Sequence, residues 1–591
     1  MKRWSCLFAL CALLPTLTAW DYFASAADEP TSADLIIYHG KVLTVDDAFR
    51  IVEAVAVRGD RIVALGKNDD ILKLKGPKTK VIDAHERNVL PGLYDSHTHP
   101  VGAATSEIVE TLPHLRTLQD AFNYIAKKTA DTPEGQWIVL RYAFPTRLKE
   151  GRFPTRAELD KVAPKHPVLY HAGPAGLVNT MALKLSGITK DTPNPSATAI
   201  IVKDPVTGEP TGMLRNAYGV LKGLPPDGKS TPQQRRAAVK KLFALYNAHG
   251  LTSIGDRSAG RDNLDLYHAL LKDGELTIRI NVARTFSPSG TREEIVNRLD
   301  GLAGPEKDGG PTGTGDIWIR IGPIKFFLDG GMLTGTAYMR SPWPTGNTYQ
   351  IVEDDYRGLL FAAPEQVKML VEEATKRHWQ VTAHTAGEGA MDVLLDAYEF
   401  VNRHTPIKGL RHCITHANFP SQHNLERCRE LGVCADVQPA WLYSDGATLD
   451  RVLGKERMRW FQPFKTWLKY TTIGGGSDHM LKFDPLLATN PWNPWLGIEV
   501  ALTRITESGL LLNPEERLSR PEALRLYTIN NAFINREEKE KGNLVVGKLA
   551  DMIIIDRDYL TCPVNSIART QVLTTIVGGK VVYERSGNII E

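Results

Sequence analysis

VLPGLYDSHTHP, residues 89–100, reads as a short buried strand running into an active-site loop. Val89, Leu90, Leu93 and Tyr94 supply the apolar run, and Pro91 stands near its start, where a missing N–H is tolerated. Side chains alternate along a strand, so His97 and His99 point to one face. Two imidazoles at that spacing on a strand end can converge on one divalent cation, which nitrogen ligands suit. Taken alone, the pair is also compatible with two unrelated polar side chains in a loop.

Seven further β-type runs follow, alternating with helical stretches. They are GLTSIGD (250–256), LTIRINVAR (276–284), WIRIGPIKFFLDG (318–330), WQVTAH (379–384), LRHCITHANF (410–419), VCADVQPAW (433–441) and TTIGGGSD (471–478). PEQVKMLVEEATKRH and HNLERCRELG carry helical spacing between them. Eight βα units predict an α/β chain built on a (β/α)8 TIM barrel over residues 89–542, with its active site at the C-terminal strand ends. About 150 residues separate the first strand from the second, far beyond an ordinary connection. Residues 112–224 are therefore read as an inserted subdomain overhanging the barrel mouth. Short β-rich runs in 27–88 and again in 543–591 predict one β-sandwich unit formed from both ends of the chain.

The barrel reading brings the strand ends together. His97 and His99 end the first strand, Lys325 lies on the fourth, His384 closes the fifth, His416 sits on the sixth and Asp478 ends the eighth. Each has an ordinary structural explanation by itself: a hydrogen-bonded histidine, a solvated lysine, a capping aspartate. Six such residues at the mouth of one barrel point to a metal centre.

These segments resemble the amidohydrolase superfamily, specifically its YtcJ-like, amidohydrolase family 3 branch. LPGLYDSHTH is similar to the opening metal motif and IKFFLDGG to the strand-four lysine segment. VTAHTAGEGAMDVLLDAYE, RHCITHA and GGGSD resemble the fifth-, sixth- and last-strand motifs. LSRPEALRLYTINNA and KGNLVVGKLADMIIID resemble the closing helix and the return into the β-unit, so the likeness spans essentially the whole chain from Ala33. The resemblance implies metal ligands His97, His99, His384 and His416, with Lys325 as a carboxylated bridging ligand and Asp478 as both ligand and proton shuttle. It implies one or two divalent ions, with zinc expected. Three departures bear on substrate recognition: Thr415 where many relatives have Glu, HAGPAGLVN without an expected histidine, and His479-Met480 after Asp478.

A divalent metal lowers the pKa of bound water to about 7 and polarises a carbonyl oxygen. The reaction expected is hydrolysis of a C–N bond, amide-type but non-peptide, including N-acyl or N-formyl groups. Asp478 would take the proton from water and give it to the leaving nitrogen. His479 is a candidate substrate contact, and His412 shares strand parity with His416 but reads better as a core residue. A lyase, isomerase or C–O hydrolase on the same scaffold is the alternative, since fold does not determine function. A non-catalytic exported metal-binding protein is a further one. A serine hydrolase is disfavoured because GGSDH lacks the closing glycine of G-x-S-x-G.

Composition sets the outer limits. At 591 residues, with 42% hydrophobic and 24% charged residues, the chain is globular and too long for one core. A net charge of +3, with no basic block interleaved with aromatics, argues against nucleic acid and leaves a small molecule as the partner. Self-association into a homo-oligomer is compatible with the chain. Lys2 and Arg3 precede an apolar run from Cys6 to Ala19, and Ala24-Ser25-Ala26 offers a cleavage site. Residues 1–26 thus read as a signal peptide, giving an exported protein, periplasmic or secreted, without a stable membrane anchor once cleaved. The remaining cysteines, Cys413, Cys428, Cys434 and Cys562, are too few for a disulfide framework. Export would permit a bridge among the first three, but buried thiols fit better.

Overall fold

The computed structural model describes residues 32–586, except 109, 227, 229 and 303–309. The segment read as a signal peptide, 1–26, lies outside the described residues. Among the described residues no helix is long and apolar enough to cross a membrane.

Eight parallel strands form one sheet in strict chain order. They are β1 (Leu93–Thr98), β2 (Leu251–Ala259), β3 (Arg279–Thr285), β4 (Ile319–Phe327), β5 (Val381–Thr385), β6 (Cys413–His416), β7 (Cys434–Val437) and β8 (Ile473–Gly475). β8 returns to β1 through a parallel bridge between Thr98 and His479. Asp478 N donates to His97 O at 2.7 Å and His99 N to His479 O at 2.8 Å, so the closure falls where the candidate ligands stand. This is the TIM barrel expected from the alternating runs.

The outer helices follow from spacing and caps. In Pro364–Lys376 a proline occupies the first turn, where its missing N–H costs nothing, and Val367, Leu370, Val371 and Ala374 are buried along one face. In Gln422–Leu431, Ser421 and Asn424 form a reciprocal capping box, and Gly432 ends the helix in the left-handed conformation.

The expected first strand is divided in two. Asn88–Pro91 pairs antiparallel with Met552–Ile555, Leu90 opposite Ile553, whereas Leu93–Thr98 pairs with β2. The break is at Gly92, where a Cβ would overlap the Thr252 side chain. Val89 and Leu90 therefore belong to the terminal β-unit, not to the barrel. That unit has two sheets, one of Ala33–Tyr38, Ala54–Arg58, Arg61–Gly66 and Lys75–Asp83. The other combines Lys41–Leu43, Ile51–Val52 and Asn88–Pro91 with Met552–Ile555, Val572–Val577 and Lys580–Glu584. Leu35, Ile37, Val55, Val89, Met552 and Ile576 share a core between them.

Between β1 and β2 the chain builds a separate five-stranded sheet, ordered Ile200–Lys203, Pro210–Arg215, Ala175–Val178, Val168–Ala172, Ile138–Leu140. Its apolar residues Ile138 and Tyr170, with Phe153 from a loop beside it, share one buried cluster with Met332, Leu333 and Trp441 from the barrel mouth. Arg147 and Asp445 join the two parts by paired bonds of 3.0 Å. Cys413, Cys428 and Cys434 are buried free thiols.

Candidate metal centre

β1 is buried throughout, and its end is clamped to β8 by a carboxylate. Asp95 Oδ1 accepts from His97 N at 2.9 Å and from Ser477 N at 3.0 Å. Gly476 is needed beside it, because a Cβ there would lie 2.8 Å from His97 N and Cβ. This close approach brings Asp478 over both β1 histidines. Its Oδ1 lies 3.2 Å from His97 Nε2 and 3.1 Å from His99 Nε2.

β5 and β6 complete the group. The His416 ring lies 4.9 Å from that of His97 and 4.4 Å from that of His384. Candidate ligand atoms of His97, His416 and Asp478 all fall within 4.8 Å of one another. Lys325 is buried on β4, with Nζ 4.2 Å from the centre of the Phe327 ring. The structure thus brings together His97, His99, Lys325, His384, His416 and Asp478.

Hydrogen bonding decides which ring nitrogens are free. His97 Nδ1 faces Asp436 Oδ1 at 3.0 Å, His384 Nε2 faces Gly330 O at 3.1 Å, and His416 Nδ1 faces Gln438 Oε1 at 2.8 Å. In each ring one nitrogen meets a protein acceptor and the other remains for a ligand. His97 Nε2 is buried with no hydrogen-bond partner. A set of imidazole nitrogens, each backed by an acceptor, beside a carboxylate fits a divalent cation.

The electrostatics follow from burial. Burial, then Lys325, pushes His384 down to about 3, and burial also lowers His99 and His416. Burial opposes charge on His97 as well, but Asp478 and Asp436 together hold it above its ordinary value. Burial works against ionisation of Asp478, yet His97 and His99 keep its carboxyl well below the usual range. Burial pushes Lys325 down to about 8.

Above the group is a cavity of about 170 Å³. Its walls are apolar: Phe144, Phe327, Leu333, Phe361, Trp441 and Met480. Tyr142, Phe144, Gly173 and Pro174 come from the insertion, so the segment with the unusual HAGPAGLVN sequence contributes to the chamber roof.

Two expected residues are placed elsewhere. The reading of His479 as a substrate contact is corrected: its ring is wholly buried, Nδ1 meets Tyr246 Oη at 2.7 Å and Nε2 meets Lys482 O at 2.6 Å. No ring nitrogen is left for a substrate. His412 is a core residue, stacked on Tyr398, with Nδ1 accepting from Val381 N at 3.1 Å.

Three residues escaped the sequence reading: Asp436, Gln438 and Asn490. Asp436 and Gln438 occupy i, i+2 positions at the end of an apolar strand, VCADVQPAW, and that parity was the available signal. Asn490 carried none; it lies in a loop and reaches Asp478 only through the fold.

The amidohydrolase family profile matches residues 80–583. The chain is 28% identical over 567 residues to N-substituted formamide deformylase of Arthrobacter pascens, covering 94% of this chain and 99% of that protein. It is 26% identical over 566 residues to Protein LONG AFTER FAR-RED 3 of Arabidopsis thaliana, covering 93% and 92%. The crystal structure of an uncharacterized metal-dependent hydrolase from Pyrococcus horikoshii OT3 matches in fold with a TM-score of 0.62, over 90% of this chain and 99% of that one, at 23% identity. With residues 80–583, most of its length, matched by the family profile, the chain belongs to the amidohydrolase family.

Proposed function

We propose that this protein is a divalent-metal hydrolase that cleaves an amide-type, non-peptide C–N bond in a small neutral substrate. The observation that carries the reading is Asp478 Oδ1 at 3.2 and 3.1 Å from two imidazole nitrogens, beside His384, His416 and Lys325. A divalent ion held by this set supplies Lewis acidity, bringing the pKa of water to about 7 and polarising a carbonyl oxygen. Nitrogen and oxygen donors favour zinc, as one ion or two. His97, His99, His384 and His416 would hold it. Lys325, once carboxylated, would join two ions.

Asp478 accepts the proton of the attacking water and returns it to the leaving nitrogen. Asn490 fixes its second oxygen, Nδ2 to Oδ2 at 3.2 Å. The aromatic walls exclude water and set substrate size, since a cavity of about 150 Å³ accommodates benzene. One ring-sized apolar substituent therefore fills the chamber. Cleavage of an N-substituted formamide, the activity named for the Arthrobacter pascens relative, is compatible with this shape.

The test is turnover of a panel of amides and formamides after zinc loading. Neutral single-ring compounds should be hydrolysed, and charged analogues should not. Turnover unaffected by chelation, or confined to charged substrates, would contradict the reading. The N-terminal pattern supports export with cleavage near Ala26. N-terminal sequencing of protein from fractionated cells should find a start near Ala27 outside the cytoplasm, and an intact Met1 in the soluble cytoplasm would refute export.

A further inference from the structure

We propose that Asp436 is a positioning residue that sets the tautomer of two metal-centre histidines at once, His97 directly and His416 through Gln438. The inference rests on the metal-hydrolase reading above. Asp436 lies near the end of β7 with no exposed surface, so no water can take its place.

An ionised carboxylate only accepts hydrogen bonds. Asp436 Oδ1 lies 3.0 Å from His97 Nδ1, so that nitrogen carries a hydrogen, and Nε2, 3.2 Å from Asp478 Oδ1, is the nitrogen that would face a cation held between the ring and that carboxylate. The same Oδ1 accepts from Gln438 Nε2 at 3.0 Å. A flipped amide would place oxygen against oxygen, so the orientation of Gln438 is determined by the carboxylate. Its Oε1 then faces His416 Nδ1 at 2.8 Å. Being an acceptor, it requires a hydrogen on His416 Nδ1 and leaves Nε2 free. Donor polarity thus runs from one carboxylate, through one amide, to a second imidazole.

The other oxygen is also used. Asp436 Oδ2 accepts from Thr415 Oγ1 at 3.0 Å and lies 3.6 Å from Arg257 Nη2. Arg257 Nε donates to Ser96 O at 2.7 Å, on the residue before His97. The Asp436–Arg257 pair therefore braces the β1 backbone as well as the His97 ring. Thr415, noted as a departure from the family pattern, serves here as one of the hydrogen-bond donors that hold the carboxylate.

The experiment reads ring tautomers and zinc affinity separately. Ring ¹⁵N shifts of His97 and His416 in the zinc-loaded protein distinguish a ring protonated on Nδ1 from one protonated on Nε2. Competition with a chromophoric chelator gives the zinc Kd. In the wild type both rings should be protonated on Nδ1. Gln438→Leu should disturb His416 alone, and Asp436→Asn should disturb both, weakening zinc about 10- to 100-fold, the usual cost of losing an outer-shell partner. Rings unchanged in Asp436→Asn, or a Kd within twofold of wild type, would overturn the proposal. Should Asp436→Asn fail to fold, Gln438→Leu decides: a shift at His97, or none at His416, would overturn it. A wild type that binds no zinc would sink the metal reading, and His416 protonated on Nδ1 in that protein, and lost in Gln438→Leu, would leave the relay intact.

Discussion

Asn490 holds Asp478 at two points, donating from Nδ2 to its main-chain oxygen at 2.6 Å and to Oδ2 at 3.2 Å. Asp478 has φ +56°, in the left-handed region that side chains seldom occupy. The amide therefore fixes both the backbone turn and the carboxylate that it carries. Asn490→Leu removes both bonds and keeps similar bulk. Hydrogen bonds to charged groups contribute about 1.5–3 kcal/mol, so kcat should fall roughly 10- to 100-fold. Steady-state kinetics with metal analysis should show that loss at near-normal metal content; an unchanged kcat would show that Asp478 needs no such hold.

Lys325 gives a second prediction. Burial lowers it to about 8, so near neutral pH a useful fraction is the unprotonated amine that carbon dioxide can carboxylate. Lys325→Ala should lose one of two ions and most turnover, and added short carboxylic acids should partly restore both. Full metal content and turnover in the variant would replace the bridged site by a mononuclear one.

The insertion should control substrate size through Phe144. Phe144→Ala enlarges the chamber without touching a candidate ligand. Two-ring amides should gain in kcat/KM relative to single-ring ones, by roughly tenfold on the scale of 1–3 kcal/mol per pocket contact. An unchanged ratio would remove the insertion from substrate selection.

Glu158 provides a pH-dependent marker of the insertion's stability. Its carboxyl, bonded to Arg152 at 2.8 and 2.9 Å and to Thr155 N at 2.6 Å, is held down to about 2, chiefly by Arg152. A depressed carboxyl stabilises the fold above its unfolded pKa of about 4.3 and loses that contribution as pH falls toward the folded value. The Tm difference between wild type and Glu158→Gln should therefore be present at pH 6 and shrink progressively below about pH 4. A difference that stays constant would assign the effect to packing.

The barrel was legible because its strands are buried on both faces and read as apolar runs ending in polar residues, of which GGGSD and RHCITHA are the plainest. The division at Gly92 was not, since Val89, Leu90, Leu93 and Tyr94 are all buried and their burial pattern is the same in either sheet. His479 misled for a related reason: being next to Asp478 in sequence suggested a place at the mouth, but its ring faces Tyr246 and Lys482. Asp436 contacts His97 only across the barrel mouth, from a strand far apart in sequence, and Gln438 contacts His416 from the end of the neighbouring strand, relationships that one-dimensional spacing does not carry.

The most direct test of the central claim pairs metal content with turnover in wild type and Asp478→Asn. The substitution keeps the side chain's size but abolishes its ability to carry a proton. Elemental analysis should find one or two divalent ions per chain in the wild type and most of that content in the variant, with turnover reduced about 100-fold or more. A wild type without bound metal whose turnover survives chelation, or a variant with normal turnover, would contradict it.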